Sequence, residues 1–98
     1  MKIDKTAILA ALDELGNTPG AVAISLRKMG IKGHRRYDAS CPLAVYLNRK
    51  FKLPDGTFSV WVHSVSTTDP EQEPVEFSDL FSRFVKKFDN GEYPELID

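Results

Sequence analysis

Three scarcities in this 98-residue chain limit the functions open to it. Cys41 is the only cysteine, so no disulfide can form within the chain, and a reducing compartment is its natural environment. No apolar run approaches the roughly 20 residues that cross a bilayer. Residues 1–5 do not begin the long apolar stretch of a secretory signal. We therefore expect a cytoplasmic protein with no membrane partner.

Specific catalytic and cofactor motifs are also missing. One cysteine and two scattered histidines make a poor metal-ligand set. The two N-terminal helices predicted below resemble a helix-turn-helix, but the second opens with Pro19-Gly20-Ala21, which offers nothing to read base edges. Gly30-Ile31-Lys32-Gly33 matches the GXXG loop of KH domains without the helix that should follow it. We expect a protein without catalytic activity, metal or cofactor.

What the chain does contain is enough apolar material for a folded core. Hydrophobic residues make up 42% of it, including six Phe, three Tyr and one Trp, which argues against intrinsic disorder. Its length is near the common size of one domain. We predict a single globular domain spanning residues 1–98.

Helical periodicity and end signals predict three N-terminal helices. The first covers about residues 4–15. Thr18-Pro19 begins the second, because Thr caps helices and Pro is tolerated at the first helical position. We expect this helix to reach Met29 with that side chain facing inward, and to end in a Schellman motif at Gly30. The third begins near Cys41.

The second half of the chain predicts a small antiparallel sheet of two to three strands and a final helix. Pro54-Asp55-Gly56 is expected to join two strands in a hairpin. Residues 58–63 alternate apolar and polar side chains, with Trp61 on the outer face. Val75 and Phe77 suggest one more strand. Ser78 is expected to cap an amphipathic helix with the apolar face Leu80, Phe81, Phe84, Val85 and Phe88. The fold class is therefore α+β.

The charges are sorted along the chain. Residues 27–52 hold eight Lys and Arg against one acid, a balance of +7, whereas residues 53–98 hold ten acids against three bases, a balance of −7. The formal net charge of −1 hides this separation. A segment this basic attracts polyanions, so we expect it to bind nucleic acid or an acidic partner protein.

Residues 32–37 form the candidate binding loop. Its cations neutralise phosphates, and its aromatic rings can stack on bases. The predicted site comprises Lys32, His34, Arg35, Arg36 and Tyr37, extended by Arg49, Lys50 and Lys52 if the third helix ends nearby. The alternative is a solvated loop whose charges meet the acids of the same molecule.

A protein–protein module is the second hypothesis. The +7 and −7 segments allow two copies to dock head to tail, or one segment to contact a host protein. Trp61 is the predicted anchor of such an interface, because Trp is enriched among interface hot spots.

A thiol enzyme is the remote third hypothesis. Cys41 at a helix N-terminus should feel the positive end of the macrodipole, which lowers a thiol pKa. His63 on a later strand would be its partner, in the order found in papain-like enzymes. A buried structural cysteine and a surface histidine are the simpler interpretation.

Two phrases carry a family resemblance: CPLAVYL at residues 41–47 and FVKKFDNGEYPEL at residues 84–96. They resemble small uncharacterised proteins of actinobacteria and of the phages that infect them. The resemblance implies a bacterial cytoplasm and a phage product that binds a host component. It implies no activity, cofactor or site residue.

Overall fold

The computed structural model describes residues 3–98. Three helices come first: α1 (Lys5–Asp13), α2 (Pro19–Lys28) and α3 (Pro42–Lys50). Strands β1 (Phe58–Val60), β2 (Ser64–Thr67) and β3 (Val75–Glu76) and the helix α4 (Asp79–Asp89) follow, and short 3-10 helices cover Asp38–Ser40 and Pro94–Leu96. The α+β prediction is confirmed, including its three N-terminal helices, small sheet and C-terminal helix.

Local end signals fix the boundaries of α2. The Thr18 hydroxyl oxygen accepts a hydrogen bond from the Ala21 N–H at 3.1 Å, as expected of a cap. At the other end Gly30 has φ +71°, and the Ile31 N–H donates to the Leu26 carbonyl at 3.0 Å, which completes the Schellman motif. Met29 is 48% exposed, so its predicted inward orientation is wrong. Ile31, which is buried after the turn, joins the core in its place.

The sheet is antiparallel with the order β1-β2-β3, and Val65 pairs with both Val60 and Val75. The predicted strand over residues 58–63 was too long, because the chain turns after Val60 and the Trp61 N–H donates to the Ser64 carbonyl. The hairpin turn therefore lies at residues 61–63. The predicted hairpin at residues 54–56 is wrong, since that turn connects α3 to β1.

Helix α4 packs the aromatic core. Phe81, Phe84, Val85 and Phe88 are buried as predicted, and the Phe84 ring stacks on Tyr93 with centroids 5.3 Å apart. Ser78 occupies the N-cap position, but its side chain makes no capping hydrogen bond, contrary to expectation. The asparagine–glycine end of α4 leads into the tail, which returns across the body toward residue 33.

Lys52 adopts a left-handed conformation, with φ +56°, just after the end of α3. The Leu53 N–H donates to the Asn48 carbonyl at 2.8 Å, which makes Lys52 the residue where Schellman endings favour glycine. We expect Lys52→Gly to raise the free energy of unfolding by about 0.5–1 kcal/mol, because the left-handed region strains side chains that carry a Cβ. Urea denaturation measures this gain.

The reverse substitution is the matched control. Gly30 holds the same position after α2, and nothing lies within 4 Å of a Cβ added there. Gly30→Ala should therefore lose about 1 kcal/mol through backbone strain alone. If both substitutions changed the free energy of unfolding in the same direction, this assignment of the helix ends would be contradicted.

Candidate polyanion-binding loop and aromatic cleft

Three backbone anchors order the basic loop, defined as residues 32–37. Gly33 pairs with the tail: its N–H donates to the Leu96 carbonyl at 2.8 Å, and its carbonyl accepts from the Asp98 N–H at 3.0 Å. The His34 N–H donates to the Ser40 carbonyl at 2.8 Å. The Arg36 N–H donates to a carboxylate oxygen of Asp89, at the end of α4, at 2.8 Å. The loop is held by its backbone, so its side chains stay free to bind.

Those side chains point to solvent. Lys32, His34, Arg35 and Arg36 are exposed, and Tyr37 is 67% exposed. Among residues 3–98 none of the loop's cations joins an ion pair. The three pairs in that range are Lys50–Glu14, Arg83–Asp79 and Lys87–Glu92. Within these residues the acidic half of the chain therefore does not neutralise the loop cations through ion pairs, unlike in the alternative of mutual neutralisation.

The three cations near the end of α3 occupy different places. Arg49 lines a groove together with Lys32 and His34, so the fold brings it to the loop. Asp55 and Asp98 line the same groove and lower its positive potential. Within the described chain, the remaining two cations, Lys50 and Lys52, do not line this groove.

Lys50 is engaged elsewhere. Its ammonium lies 2.8 Å from a carboxylate oxygen of Glu14, on α1's C-terminal side. That hydrogen bond and charge lower the pKa of the Glu14 carboxyl and raise the pKa of Lys50. Both side chains are largely exposed, so the pair contributes little to stability, but it engages the Lys50 ammonium with a residue of the first helix's end.

A cleft beside the loop is lined by two residues for which the sequence predicted different functions. Tyr37 and Trp61, the latter 52% exposed, line one cleft of about 120 Å³ together with Arg36. We call this the aromatic cleft. Its apolar lining is Cys41, Val60, Val62 and Val85, and its remaining polar lining is Asp38 and Asp89.

The sequence gives no local signal for this cleft. Tyr37 precedes the 3-10 helix Asp38–Ser40, whereas Trp61 opens the hairpin turn. The two line one cleft because β1 packs against that 3-10 helix. The indole N–H of Trp61 donates to the Ser66 hydroxyl oxygen at 3.2 Å, which orients the ring. The role of Asp89 was also missed, since its contact with Arg36 joins residues 53 positions apart.

Cys41 has the opposite character from that of an activated thiol. It caps α3 by position, as predicted, but it is only 4% exposed. Burial raises the pKa of its thiol to about 12 and outweighs the nearby backbone N–H groups that act to lower it. His63 directs its Nδ1 to the Ser82 hydroxyl at 3.1 Å. The expectation of a macrodipole-stabilised thiolate is therefore wrong.

No three His, Cys, Asp or Glu side chains in residues 3–98 are grouped closely enough to hold a metal ion. Over the same residues, every helix is too short or too polar to cross a membrane. Comparisons with protein-family models, curated proteins and solved structures gave no match. The resemblance to actinobacterial and phage proteins therefore stays a prediction.

Proposed function

We propose that the protein is a non-catalytic binding module that contacts nucleic acid through its basic loop. The observation that carries this proposal is the set of exposed loop cations, which form no ion pair within residues 3–98 and are fixed on an ordered backbone. Arg49 extends the set along the neighbouring groove. In the bacterial setting that the sequence resemblance implies, the module would be a phage product acting on a host component.

The physical basis is neutralisation of phosphates. Each Lys or Arg placed on a phosphate releases a condensed counterion, and the affinity then falls steeply with salt. The loop's backbone is already fixed by Asp89 and the tail, so binding orders side chains without having to order the segment. Its cations contact phosphates, so they fix the position of the nucleic acid but do not discriminate between base sequences.

An acidic protein, including a second copy of this chain, is the alternative partner. Glu71, Glu73 and Glu76 are exposed, and within residues 3–98 none of them forms an ion pair. This acidic stretch is electrostatically complementary to the basic loop. Nucleic acid is preferred because exposed aromatic rings lie beside the loop cations, and such a combination binds stacked bases as well as phosphates.

We expect Arg35→Ala combined with Arg36→Ala to weaken binding to a labelled single-stranded oligonucleotide about tenfold at about 50 mM salt. The plot of log affinity against log salt should flatten by about 1.4, which corresponds to two lost phosphate contacts. Fluorescence anisotropy measures both quantities. Arg36→Ala leaves the backbone strain at this position unchanged, since arginine and alanine both carry a Cβ at φ +63°.

The matched control is Arg27→Ala combined with Lys28→Ala. It removes the same charge from the same basic segment, but from the last turn of α2 instead of the loop. Equal losses in the two double variants would overturn the assignment of the site, because net charge alone would then explain binding. No oligonucleotide binding, together with self-association at low salt in sedimentation, would favour the acidic-partner alternative.

A further inference from the structure

We propose that the aromatic cleft receives one unpaired nucleobase, so that the protein prefers single-stranded nucleic acid to duplex. This inference rests on the proposed function and adds the form of the nucleic acid to it. It follows from the shape, lining and charge of the cleft between Tyr37 and Trp61.

The cleft has the size of a single ring. Its volume is about 120 Å³, and an apolar cavity of about 150 Å³ binds benzene. The three valines of its lining offer an apolar surface, while the exposed rings of Tyr37 and Trp61 offer stacking surfaces. Every base presents a flat π face, so such a site stacks bases with little regard to sequence.

The charges around the cleft favour a base inside it and a phosphate outside it. Asp38 and Asp89 line it, and carboxylates repel a phosphate while accepting hydrogen bonds from base amino groups. Arg36 lies at the same cleft with its neighbours in the basic loop exposed beside it. A strand is therefore bound with its base inside the cleft and its phosphates outside, on the loop cations.

The two rings are held in place before any ligand arrives. The Ser66 hydroxyl oxygen accepts from the Trp61 indole N–H at 3.2 Å. Tyr37 makes an edge-on contact with the His34 ring, with centroids 6.1 Å apart. Preorganised rings lose little rotational freedom on stacking. In a duplex each base is already stacked and paired, and extruding one costs free energy, so duplex leaves the cleft empty.

The experiment compares a single-stranded oligonucleotide with a duplex of equal phosphate number by fluorescence anisotropy. We expect the wild-type protein to bind the single strand about tenfold more tightly. Trp61→Leu should remove most of that preference and leave duplex affinity unchanged. Tyr37→Leu, which changes a residue of the basic loop itself, should also remove most of that preference. Met29→Ala is the control, because it truncates an exposed apolar side chain that does not line the cleft.

Trp61 also supplies a test that needs no substitution. It is the only tryptophan in the chain, so its emission reports on the cleft alone. Single-stranded oligonucleotide should quench this emission with the same midpoint as the anisotropy, and duplex should leave it unchanged. If a variant fails to fold, this wild-type readout still tests the inference.

The outcomes separate the inference from the proposed function. Equal affinity for both forms, or quenching by duplex as well, would overturn the cleft assignment while phosphate binding by the loop stands. Absence of binding to either form would overturn both. Quenching by an acidic tyrosine-containing peptide, but not by oligonucleotide, would overturn the inference and assign the cleft to a protein partner.

Discussion

Gly33→Ala is expected to lower the free energy of unfolding by about 3 kcal/mol, at the upper end of the range for overpacking. A Cβ at this position would overlap the Ser40 carbonyl oxygen and lie 2.8 Å from the Pro42 nitrogen. Both neighbours are backbone atoms. Neither can move away alone, because the Ser40 carbonyl accepts a hydrogen bond from the His34 N–H and Pro42 is the first residue of α3.

Gly20→Ala is the matched control in a urea-denaturation series. Gly20 lies near the start of α2, and nothing lies within 4 Å of a Cβ added there. This substitution should stabilise the protein by about 0.5–1 kcal/mol, because alanine has the better helix propensity and a smaller unfolded-state entropy. A Gly33→Ala midpoint equal to that of the wild type would contradict the close packing of the loop against the start of α3.

Gly33→Ala also links the packing of the basic loop to the proposed function. Gly33 holds the first anchor of the basic loop through its two hydrogen bonds with the tail. In the sequence this glycine completes a GXXG match that lacks the helix a KH domain requires, which favours a turn residue. In the structure it is a site of close backbone approach, so its replacement should weaken oligonucleotide binding by disordering the loop and not by removing a ligand contact.

Stability should fall more steeply above pH 9 in the wild-type protein than in Cys41→Ala. Burial raises the pKa of the Cys41 thiol from its ordinary value of 9.0 to about 12. Between these values the unfolded chain releases a proton that the folded chain retains. The stabilising contribution is therefore complete below pH 9 and is lost at about 1.4 kcal/mol per pH unit as the pH rises toward 12.

The difference between the two proteins isolates this one group. At about pH 10.5 the thiol should account for about 2 kcal/mol of lost stability, whereas burial also raises the pKa values of Tyr46 and Tyr93, which titrate in both proteins. Urea denaturation at several pH values measures the difference. A thiolate activated for catalysis would give the opposite result: a lowered pKa and rapid alkylation of the folded protein by iodoacetamide near pH 7.

Structural features that depend only on residues close together in the sequence were predictable. The start of α2 at Thr18-Pro19, its Schellman ending at Gly30 and the buried face of α4 follow from neighbouring residues alone. The exposure of the basic loop followed from its charge, since unpaired Lys and Arg are rarely buried. The α+β class followed from the order of these periodic segments.

Features that depend on distant packing were not predictable. Trp61 lines the same cleft as Tyr37 only because β1 stops early and turns beside the 3-10 helix. Local sequence correctly placed Cys41 at a helix start, but the sign of its pKa shift depends on how deeply the fold buries it. The Arg36–Asp89 contact likewise joins two segments that no spacing rule connects.

The most direct test of loop-mediated binding is a titration of the 15N-labelled protein with a short single-stranded oligonucleotide, followed by 1H–15N correlation NMR. We expect the largest shift changes at the backbone amides of residues 32–37 and at the Trp61 indole N–H. The amides of α2, including Arg27 and Lys28, should change little. Shift changes concentrated on α2 or on the acidic stretch at residues 71–76, with residues 32–37 and Trp61 unaffected, would contradict the proposed site.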